Sequence, residues 1–290
     1  MIVAVRLSRA LAPVAATAGG ATFFFPDVLE GTDVMNGSAR GTGLVVLVLA
    51  VPVMLTGLTA ALGGSARGTA VWAGGLAYLA YNSVMFCFAT PFNRLFLPYV
   101  AMLSLSVWAL VALVTAHGIE RVDGSRVPAR PIAVFLWVVV ALNASAWLVR
   151  IVPALVDDLP PDFLEGVGLP TNPVYVQDLA IWLPAMAAIG FALWRRTDVG
   201  YLLASAGLVF WVLESAGVAV DQWFGHRADP GSDVATLGGM WLFVGMTVVS
   251  LVPLWLAFRW TAVATRTGGA GAAQLEDPEL RSFSPPRSPR

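Results

Sequence analysis

Long apolar stretches recur along this chain, and they constrain its fold more than any other feature. A stretch of roughly 20 mostly apolar residues is long enough to cross the hydrocarbon core of a membrane as an α-helix. Eight stretches meet that length, at about 9–25, 41–62, 69–89, 95–116, 131–154, 176–194, 200–223 and 237–260. Because a chain in lipid must satisfy its backbone hydrogen bonds internally, the sequence predicts an all-α, polytopic transmembrane helix bundle in residues 1–262.

The composition favours a membrane protein over a soluble one. Hydrophobic residues make up 58% of the chain and charged residues only 12%, whereas an ordinary soluble domain carries roughly 25% charged residues. The first stretch can also be read as a secretory signal peptide, because Arg6 and Arg9 precede it and it contains small residues. Three phenylalanines at 23–25 and Pro26 continue the apolar run past any such cleavage point, which favours a retained span.

Several kinds of chemistry are excluded by residues that the sequence lacks. All 17 basic residues are arginine, so no lysine can form a Schiff base with retinal or pyridoxal phosphate. A single cysteine, Cys87, cannot form an intramolecular disulfide. His117 and His226 fall in predicted loops, so paired histidines cannot hold a haem between helices. Because zinc, phosphate-loop and DNA-binding motifs are also missing from the sequence, we expect no metal, no resident cofactor and no nucleic-acid partner.

Arginines mark one side of the predicted bundle, and arginines in short loops are retained on the cytoplasmic side of a membrane. The segments on the side of the N-terminus hold Arg6, Arg9, Arg67, Arg121, Arg126, Arg130, Arg195, Arg196 and Arg259. The opposite loops hold Asp27, Glu30, Asp33, Asp157, Asp158, Asp162, Glu165, Asp229 and Asp233, with Arg40, Arg94 and Arg227 as their arginines. Both termini are therefore predicted to be cytoplasmic. The exclusive use of arginine, with abundant Ala, Gly and Val, is typical of a GC-rich bacterial genome and indicates a bacterial cytoplasmic membrane.

The segments outside the spans differ in composition. The longest outer loop, 157–178, is rich in proline, glycine and carboxylates, which favours a surface loop or lid. Its DDLPPD sequence can be a cation-binding cluster or a solvated loop, and the prolines favour the solvated loop. Residues 263–290 have the composition of a disordered cytoplasmic tail. Four tryptophans near span ends suit the membrane interface: Trp182, Trp223, Trp241 and Trp260.

A shift of 132 residues aligns the second and third spans with the sixth and seventh without a gap. The same shift puts Asn82 on Glu214. Two interpretations stay open: chance similarity between apolar segments, or a 4+4 parallel internal repeat, in which two four-span halves are related by an axis along the membrane normal, as in some transporters. The matched pairs are Pro52 and Pro184, Met54 and Met186, Ala60 and Ala192, Gly68 and Gly200, Gly75 and Gly207, and Ser83 and Ser215.

Glu214 is the strongest functional lead in the sequence. It lies in the apolar run FWVLESAGVAVD, and ionisable residues within membrane spans are costly and usually functional. Three interpretations are open. Glu214 can form a structural ion pair with Arg150 of the fifth span. It can instead be a protonated carboxyl in a proton-coupled carrier or a substrate site, or it can face lipid in neutral form.

Other polar residues fall where they could share a site with Glu214. Asp221 follows Glu214 by seven residues and Asn143 precedes Arg150 by seven, so each pair shares one helix face. Asp178 lies at the start of the sixth span. Asn82 and Asn143 can contribute to such a site, or they can instead form hydrogen bonds that join neighbouring helices. We therefore predict a substrate-binding pocket open to the outside and formed by Glu214, Arg150, Asn82, Asp221, Asn143 and Asp178.

Two segments, ATPFNRLFLPYV at 89–100 and TNPVYVQDLAIWLPA at 171–185, resemble segments of uncharacterised bacterial polytopic integral membrane proteins. The resemblance implies a multi-pass membrane protein and brings no activity with it. From the residues themselves we expect a small-solute or ion transporter, with the lipid bilayer and that solute or ion as partners. The alternative is a non-transporting membrane sensor or assembly protein. An intramembrane enzyme ranks third, because no pairing of a nucleophile with a base is recognisable in the sequence.

Overall fold

The part of the chain that the structure describes contains eight long helices. The computed structural model describes residues 1–116, 122–156 and 161–262, so the predicted tail and His117, Asp157 and Asp158 lie outside the described residues. Each long helix in these ranges is long and apolar enough to cross a membrane, which confirms the all-α bundle and makes the chain a multi-pass integral membrane protein. The helices are α1 (Ile2–Phe24), α2 (Asp33–Leu62), α3 (Ala66–Phe88), α4 (Phe96–Ala116), α5 (Ala129–Val156), α6 (Pro173–Trp194), α7 (Asp198–Ala228) and α8 (Leu237–Ala257).

Several helices extend beyond the apolar stretches that predict them. The first, α1, begins at Ile2 rather than near residue 9, so Arg6 and Arg9 lie within it. The seventh, α7, continues to Ala228, past the predicted end at 223. A helix can run on into the polar headgroup region because its backbone hydrogen bonds are internal and do not need an apolar environment. Hydrophobicity therefore predicts the membrane-crossing part of a helix better than it predicts the ends.

Short connections divide the bundle into two ends. At the arginine end, β1 (Val122–Asp123) pairs antiparallel with β2 (Thr261–Ala262), and Nε of Arg67 donates to the Trp260 carbonyl oxygen at 3.0 Å. The arginine end comprises the connections at 63–65, 122–128, 195–197 and 258–262. The acidic end comprises those at 25–32, 89–95, 161–172 and 229–236.

Two helices contain a wide π-helical turn just before a proline. In α2 the turn spans Val46–Ala50 and precedes Pro52. In α6 it spans Asp178–Trp182 and precedes Pro184. Proline lacks a backbone N–H and its ring clashes with the carbonyl four residues earlier, so a wider turn relieves the clash without ending the helix. The two turns are 132 residues apart at both ends.

The same 132-residue offset relates close contacts inside the two helix pairs. A Cβ atom added to Gly75 of α3 would lie 2.9 Å from Cα of Met54 in α2. A Cβ atom added to Gly207 of α7 would lie 2.9 Å from the sulfur of Met186 in α6. Glycine at these two positions allows neighbouring helices to approach each other closely. In both hairpins, α2 with α3 and α6 with α7, the glycine therefore lies against the methionine that the 132-residue offset pairs with it, although the contact is with the backbone of Met54 and with the side chain of Met186.

Equivalent side chains also cap the second helix of each hairpin. The Ser65 hydroxyl accepts a hydrogen bond from the Gly68 backbone N–H at 3.1 Å at the start of α3. The Thr197 hydroxyl accepts one from the Gly200 backbone N–H at 3.0 Å at the start of α7. Serine and threonine are favoured at this position because their oxygen satisfies a backbone donor that lacks a partner in the first helical turn. Both helices thus start at the arginine end with the same local structure.

The core is organised around α3 and α7, the two most buried helices. The seventh helix packs against α2, α3, α6 and α8. Trp260, expected at the membrane interface, is instead 1% exposed, and its indole N–H donates to the Ser205 hydroxyl at 2.9 Å. The outer faces keep large apolar side chains exposed, among them Trp108, Val149 and Leu242, and these faces suit contact with the lipid bilayer.

Candidate functional site

A cavity of about 740 Å³ opens within the helical bundle and extends to the acidic end. Its walls come from α2, α3, α5, α6 and α7, and its rim comes from the connections after α5 and α7. A volume of this size is within the range of small-molecule sites. The structure brings all but one of the six predicted site residues to its wall; Asn82 lies behind the wall and contacts Glu214.

Glu214 lies in the interior of α7, roughly 24 Å from the start of that helix at 1.5 Å per residue. Its side chain is partly exposed and lines the cavity. The Asn82 side-chain amide of α3 donates a hydrogen bond to Glu214 Oε2 at 3.1 Å. Glu214 therefore faces a polar partner and a cavity, which contradicts the lipid-facing interpretation.

Arg150 does not form the predicted ion pair with Glu214. Although both residues line the cavity, the Arg150 guanidinium lies beside the Tyr175 hydroxyl, on the side of the cavity where Asp162 is the nearby acidic group. Within the described ranges, no side-chain pair meets the distance of a salt bridge at Glu214. The ion-pair interpretation is therefore wrong, because the long arginine side chain turns toward the rim rather than toward the interior of the bundle.

Asp221 lies two helical turns beyond Glu214 on the same face of α7. Its Oδ2 atom accepts a hydrogen bond from the Thr42 hydroxyl of α2 at 3.0 Å. That contact depends on Gly41, because a Cβ atom there would lie 2.9 Å from Cα of Asp221. The second carboxylate oxygen, Oδ1, is buried and has no hydrogen-bond partner among the described residues. This oxygen lies against α2, because a Cβ atom at Gly41 would be 2.9 Å from it.

Asp178 is the third acidic group in the membrane-spanning part of the cavity. It begins the π-helical turn of α6 and is 8% exposed. Its Oδ2 atom accepts a hydrogen bond from the Trp147 indole N–H of α5 at 2.9 Å, and the Tyr81 hydroxyl lies beside the carboxyl. The wide turn places Asp178 toward neighbouring helices instead of leaving it at the entrance of the span.

The two predicted asparagines behave differently. Asn82 joins α3 to α7 through Glu214, which fits the interpretation of asparagine as a link between helices. Asn143 lines the cavity, but its side-chain amide donates to the Val139 carbonyl oxygen of its own helix at 2.8 Å. Asn143 therefore does not link two helices through this amide, and it lies on the cavity wall.

Aromatic rings line the cavity beside the carboxylates, and the sequence interpretation missed them. Trp182 stacks on Phe210, with ring centroids 4.8 Å apart, and Tyr81 lies 5.7 Å from both rings. A second group contains Trp147 stacked on Tyr175, with centroids 4.5 Å apart. Trp182 was expected at the membrane interface because it lies near a span end. In the structure it closes the π-helical turn that precedes Pro184.

Acidic groups outnumber basic ones in the cavity wall. Among the described residues, Arg150 is its single basic residue. No three His, Cys, Asp or Glu side chains in the described ranges come together as a metal site, so the acidic groups are spread along the cavity rather than focused on one point. The acidic residues of the wall are Asp162, Glu165, Asp178, Glu214, Asp221, Asp229 and Asp233.

Comparison with protein-family models, with characterised proteins and with solved structures finds no significant match to this chain. The fold defines the class, a multi-pass integral membrane protein with a polar cavity inside its helical bundle. Its function is therefore inferred from the cavity.

Proposed function

We propose that the protein is a carrier for a small solute or ion, which binds in the cavity at the acidic end. The observation that carries the proposal is the arrangement of Asp178, Glu214 and Asp221, which line one cavity and form no salt bridge within the described residues. A carboxylate at the centre of a membrane helix costs about 2.5–3.5 kcal/mol on insertion scales. Glu214 has this central position, and Asp178 and Asp221 lie nearer the acidic end of the same cavity, so a binding site explains the three groups better than stability does.

The position of Glu214 suits coupling of binding to proton movement. A carboxyl group in a low-dielectric surrounding without a cationic neighbour is neutralised either by a proton or by a bound cation. Glu214 has Asn82 as its described polar partner, so both routes remain open to it. Binding of a cation and binding of a proton at Glu214 would then compete, which is the basis of exchange in a carrier.

We infer that residues of α1–α4 and α5–α8 form two related halves. Support comes from the matched π-helical turns, helix caps and glycine contacts. Equivalent residues of the parallel helices α3 and α7 also face each other: a Cβ atom on Gly74 would lie 2.6 Å from the Ala206 carbonyl oxygen, and Asn82 bonds Glu214. This is the arrangement expected around a two-fold axis along the membrane normal, with a binding site near the interface of the halves.

The flanking helices limit the proposed symmetry. The first half packs α1 against α4, whereas the corresponding helices α5 and α8 touch at few positions. The looser second half contains the larger part of the cavity wall. We therefore propose a shared hairpin pair, α2 with α3 and α6 with α7, surrounded by helices that have diverged.

The proposed orientation places the acidic end outside the cell. Arginines in short loops favour the cytoplasmic side, and the arginine end holds Arg67, Arg126, Arg195 and Arg196 near its described connections. The protein would then lie in a bacterial cytoplasmic membrane with both termini inside. The cavity would bind its solute from the extracytoplasmic side.

A thiol-labelling experiment tests whether the protein is a transporter, and it does not require the substrate to be known. In a Cys87→Ala background, Val218→Cys places a thiol on the cavity wall, and Val249→Cys places one on a face that is 61% exposed toward lipid. Both variants are treated with a membrane-impermeant cationic methanethiosulfonate in right-side-out and inside-out vesicles. A carrier exposes its site to each side in turn, so the thiol of Val218→Cys should react in both preparations and that of Val249→Cys in neither.

If the thiol of Val218→Cys reacts only in right-side-out vesicles, the result would contradict transport and favour a sensor or assembly protein. Absence of reaction from either side would show that water does not reach the cavity, and this would also contradict the proposal. Denatured samples of both variants, labelled in detergent, provide the measure of total reactive thiol.

A further inference from the structure

We propose that the cavity selects small organic cations carrying a protonated amine, with the ammonium group held among carboxylates and aromatic rings. The transport of such a cation rests on the proposed carrier function, whereas its binding does not. The proposal combines three observations: the charge of the wall, the aromatic rings beside the deep carboxylates, and the Asp221 carboxylate on the cavity wall.

The charge of the cavity wall favours a cation. Seven carboxylates and one guanidinium line it among the described residues. The guanidinium of Arg150 lies beside Tyr175, with Asp162 as the nearby acidic group, so it leaves the deeper acidic groups without a cationic neighbour. A cleft lined by one sign of charge and enclosed by apolar walls concentrates ligands of the opposite sign. An anionic solute would meet repulsion along the whole entry path.

The aromatic rings favour an organic cation over a bare metal ion. Tyr81 lies close to the carboxyls of both Asp178 and Glu214, and its ring packs against the stacked pair of Trp182 and Phe210. Aromatic faces attract cations, most strongly where water is excluded. Calcium and magnesium instead require several oxygen ligands at one point, and the described residues provide no such cluster.

The Asp221 carboxylate favours a cation with N–H donors. Asp221 lines the cavity, and its Oδ2 atom accepts a hydrogen bond from the Thr42 hydroxyl at 3.0 Å. A carboxylate oxygen can accept more than one hydrogen bond, and a charge-assisted bond from an ammonium N–H is stronger than a neutral one. A quaternary ammonium carries no N–H and would form no such bond. The cavity is large enough for an amine with a ring or a short aliphatic body.

Three probes of nearly equal size test the ligand class: benzylammonium, neutral benzyl alcohol and anionic phenylacetate. Binding is measured by isothermal titration calorimetry with the full chain in lipid nanodiscs at neutral pH. We expect benzylammonium to bind at least tenfold more tightly than either of the other probes. Equal or tighter binding of phenylacetate would overturn the proposal, as would absence of binding by benzylammonium.

Substitutions locate the binding site. Asp178→Asn and Glu214→Gln keep the size of each side chain and remove its charge, and each should weaken benzylammonium binding at least tenfold. Trp182→Leu should weaken it threefold to tenfold, the range expected when a cation loses an aromatic face. Asp27→Asn is the matched control, because Asp27 lies at the acidic end but outside the cavity wall, and it should bind like the unaltered protein.

Unchanged affinity in both carboxylate variants would overturn the site assignment. Each variant is first compared with the unaltered protein in thermal melting, and Asp178→Glu serves as a second substitution that keeps the charge if Asp178→Asn fails to fold. Failure of the two proposals is distinguishable. Benzylammonium binding with labelling of Val218→Cys from one side only would support the cation site and reject transport. Labelling from both sides without benzylammonium binding would support transport and reject the cation site.

Discussion

Asn82 and Glu214, which a shift of the chain by 132 residues brings into register, are joined by a hydrogen bond of 3.1 Å across the contact between α3 and α7. A carboxyl group without a cationic partner among the described residues thus takes its polar contact from the asparagine that the shift aligns with it. The bond holds Glu214 toward the cavity at the centre of the bundle. It therefore links the two hairpins at the level of the candidate site.

Replacing Asn82 with Leu should lower the free energy of unfolding by about 1 kcal/mol, because Glu214 loses its donor. The double variant Asn82→Leu with Glu214→Leu should recover part of that loss, since no unpaired acceptor remains. Chemical unfolding in detergent measures both. The control is Asn143→Leu, which removes a bond within one helix and should change stability by less than about 0.5 kcal/mol. Equal losses at the two asparagines would contradict a special role for Asn82.

Neutralising Arg150 should not compensate for changes at Glu214. Residues that share no contact usually have additive effects within about 0.3–0.5 kcal/mol, and Arg150 lies beside Tyr175 instead. A double-mutant cycle of Arg150→Gln and Glu214→Gln, measured by thermal unfolding, should therefore give a coupling energy below about 0.5 kcal/mol. A coupling above about 1 kcal/mol would show that the two side chains pair in the protein.

Glycine at helix crossings should be sensitive to the addition of a single methyl group. A Cβ atom on Gly57 of α2 would overlap the backbone nitrogen of Trp72 in α3, so Gly57→Ala should destabilise the protein by about 1–3 kcal/mol. The control is Gly245→Ala in α8, where nothing lies within 4 Å. That change should be neutral or stabilising by up to about 1 kcal/mol, since alanine favours a helix. Melting temperatures in detergent distinguish the two.

The orientation of the bundle can be tested on whole cells. In a Cys87→Ala background, Asp27→Cys places a thiol at the acidic end and Ser125→Cys places one at the arginine end, both at exposed positions. If the acidic end faces outside, an impermeant maleimide should label the Asp27→Cys variant in intact cells and the Ser125→Cys variant only after permeabilisation. The reverse pattern would place the cavity mouth on the cytoplasmic side and would overturn the proposed orientation.

Hydrophobicity alone was sufficient to predict the eight spans, because crossing a membrane requires long apolar helices. It could not predict where each helix ends or how it is rotated. Pairing of Arg150 with Glu214, one of the three interpretations left open by the sequence, was wrong for that reason. The depth of the two residues in the membrane could be predicted, but the direction of a long side chain depends on its neighbours. In contrast, the 132-residue alignment placed Asn82 at the height of Glu214, and the structure places them in contact.

The aromatic part of the candidate site was not predicted because a tryptophan near a span end has two common environments. Trp241 is 67% exposed, as expected of a residue at the lipid interface. Trp182 has a similar place in its span but packs on Phe210 inside the bundle. What separates them is local geometry, since Trp182 closes a π-helical turn and Trp241 lies in a regular helix. Composition and hydropathy contain no such information.

The π-helical turn of α6 changes the direction in which the side chains before the turn point, relative to the side chains after it. One extra residue in a helix rotates everything before it by about 100° relative to everything after it. Asp178 and Trp182, at the two limits of the turn, both line the cavity. Deletion of one residue within the turn would therefore restore a regular helix and rotate Asp178 relative to the part of α6 that follows the turn. The length of the span would scarcely change.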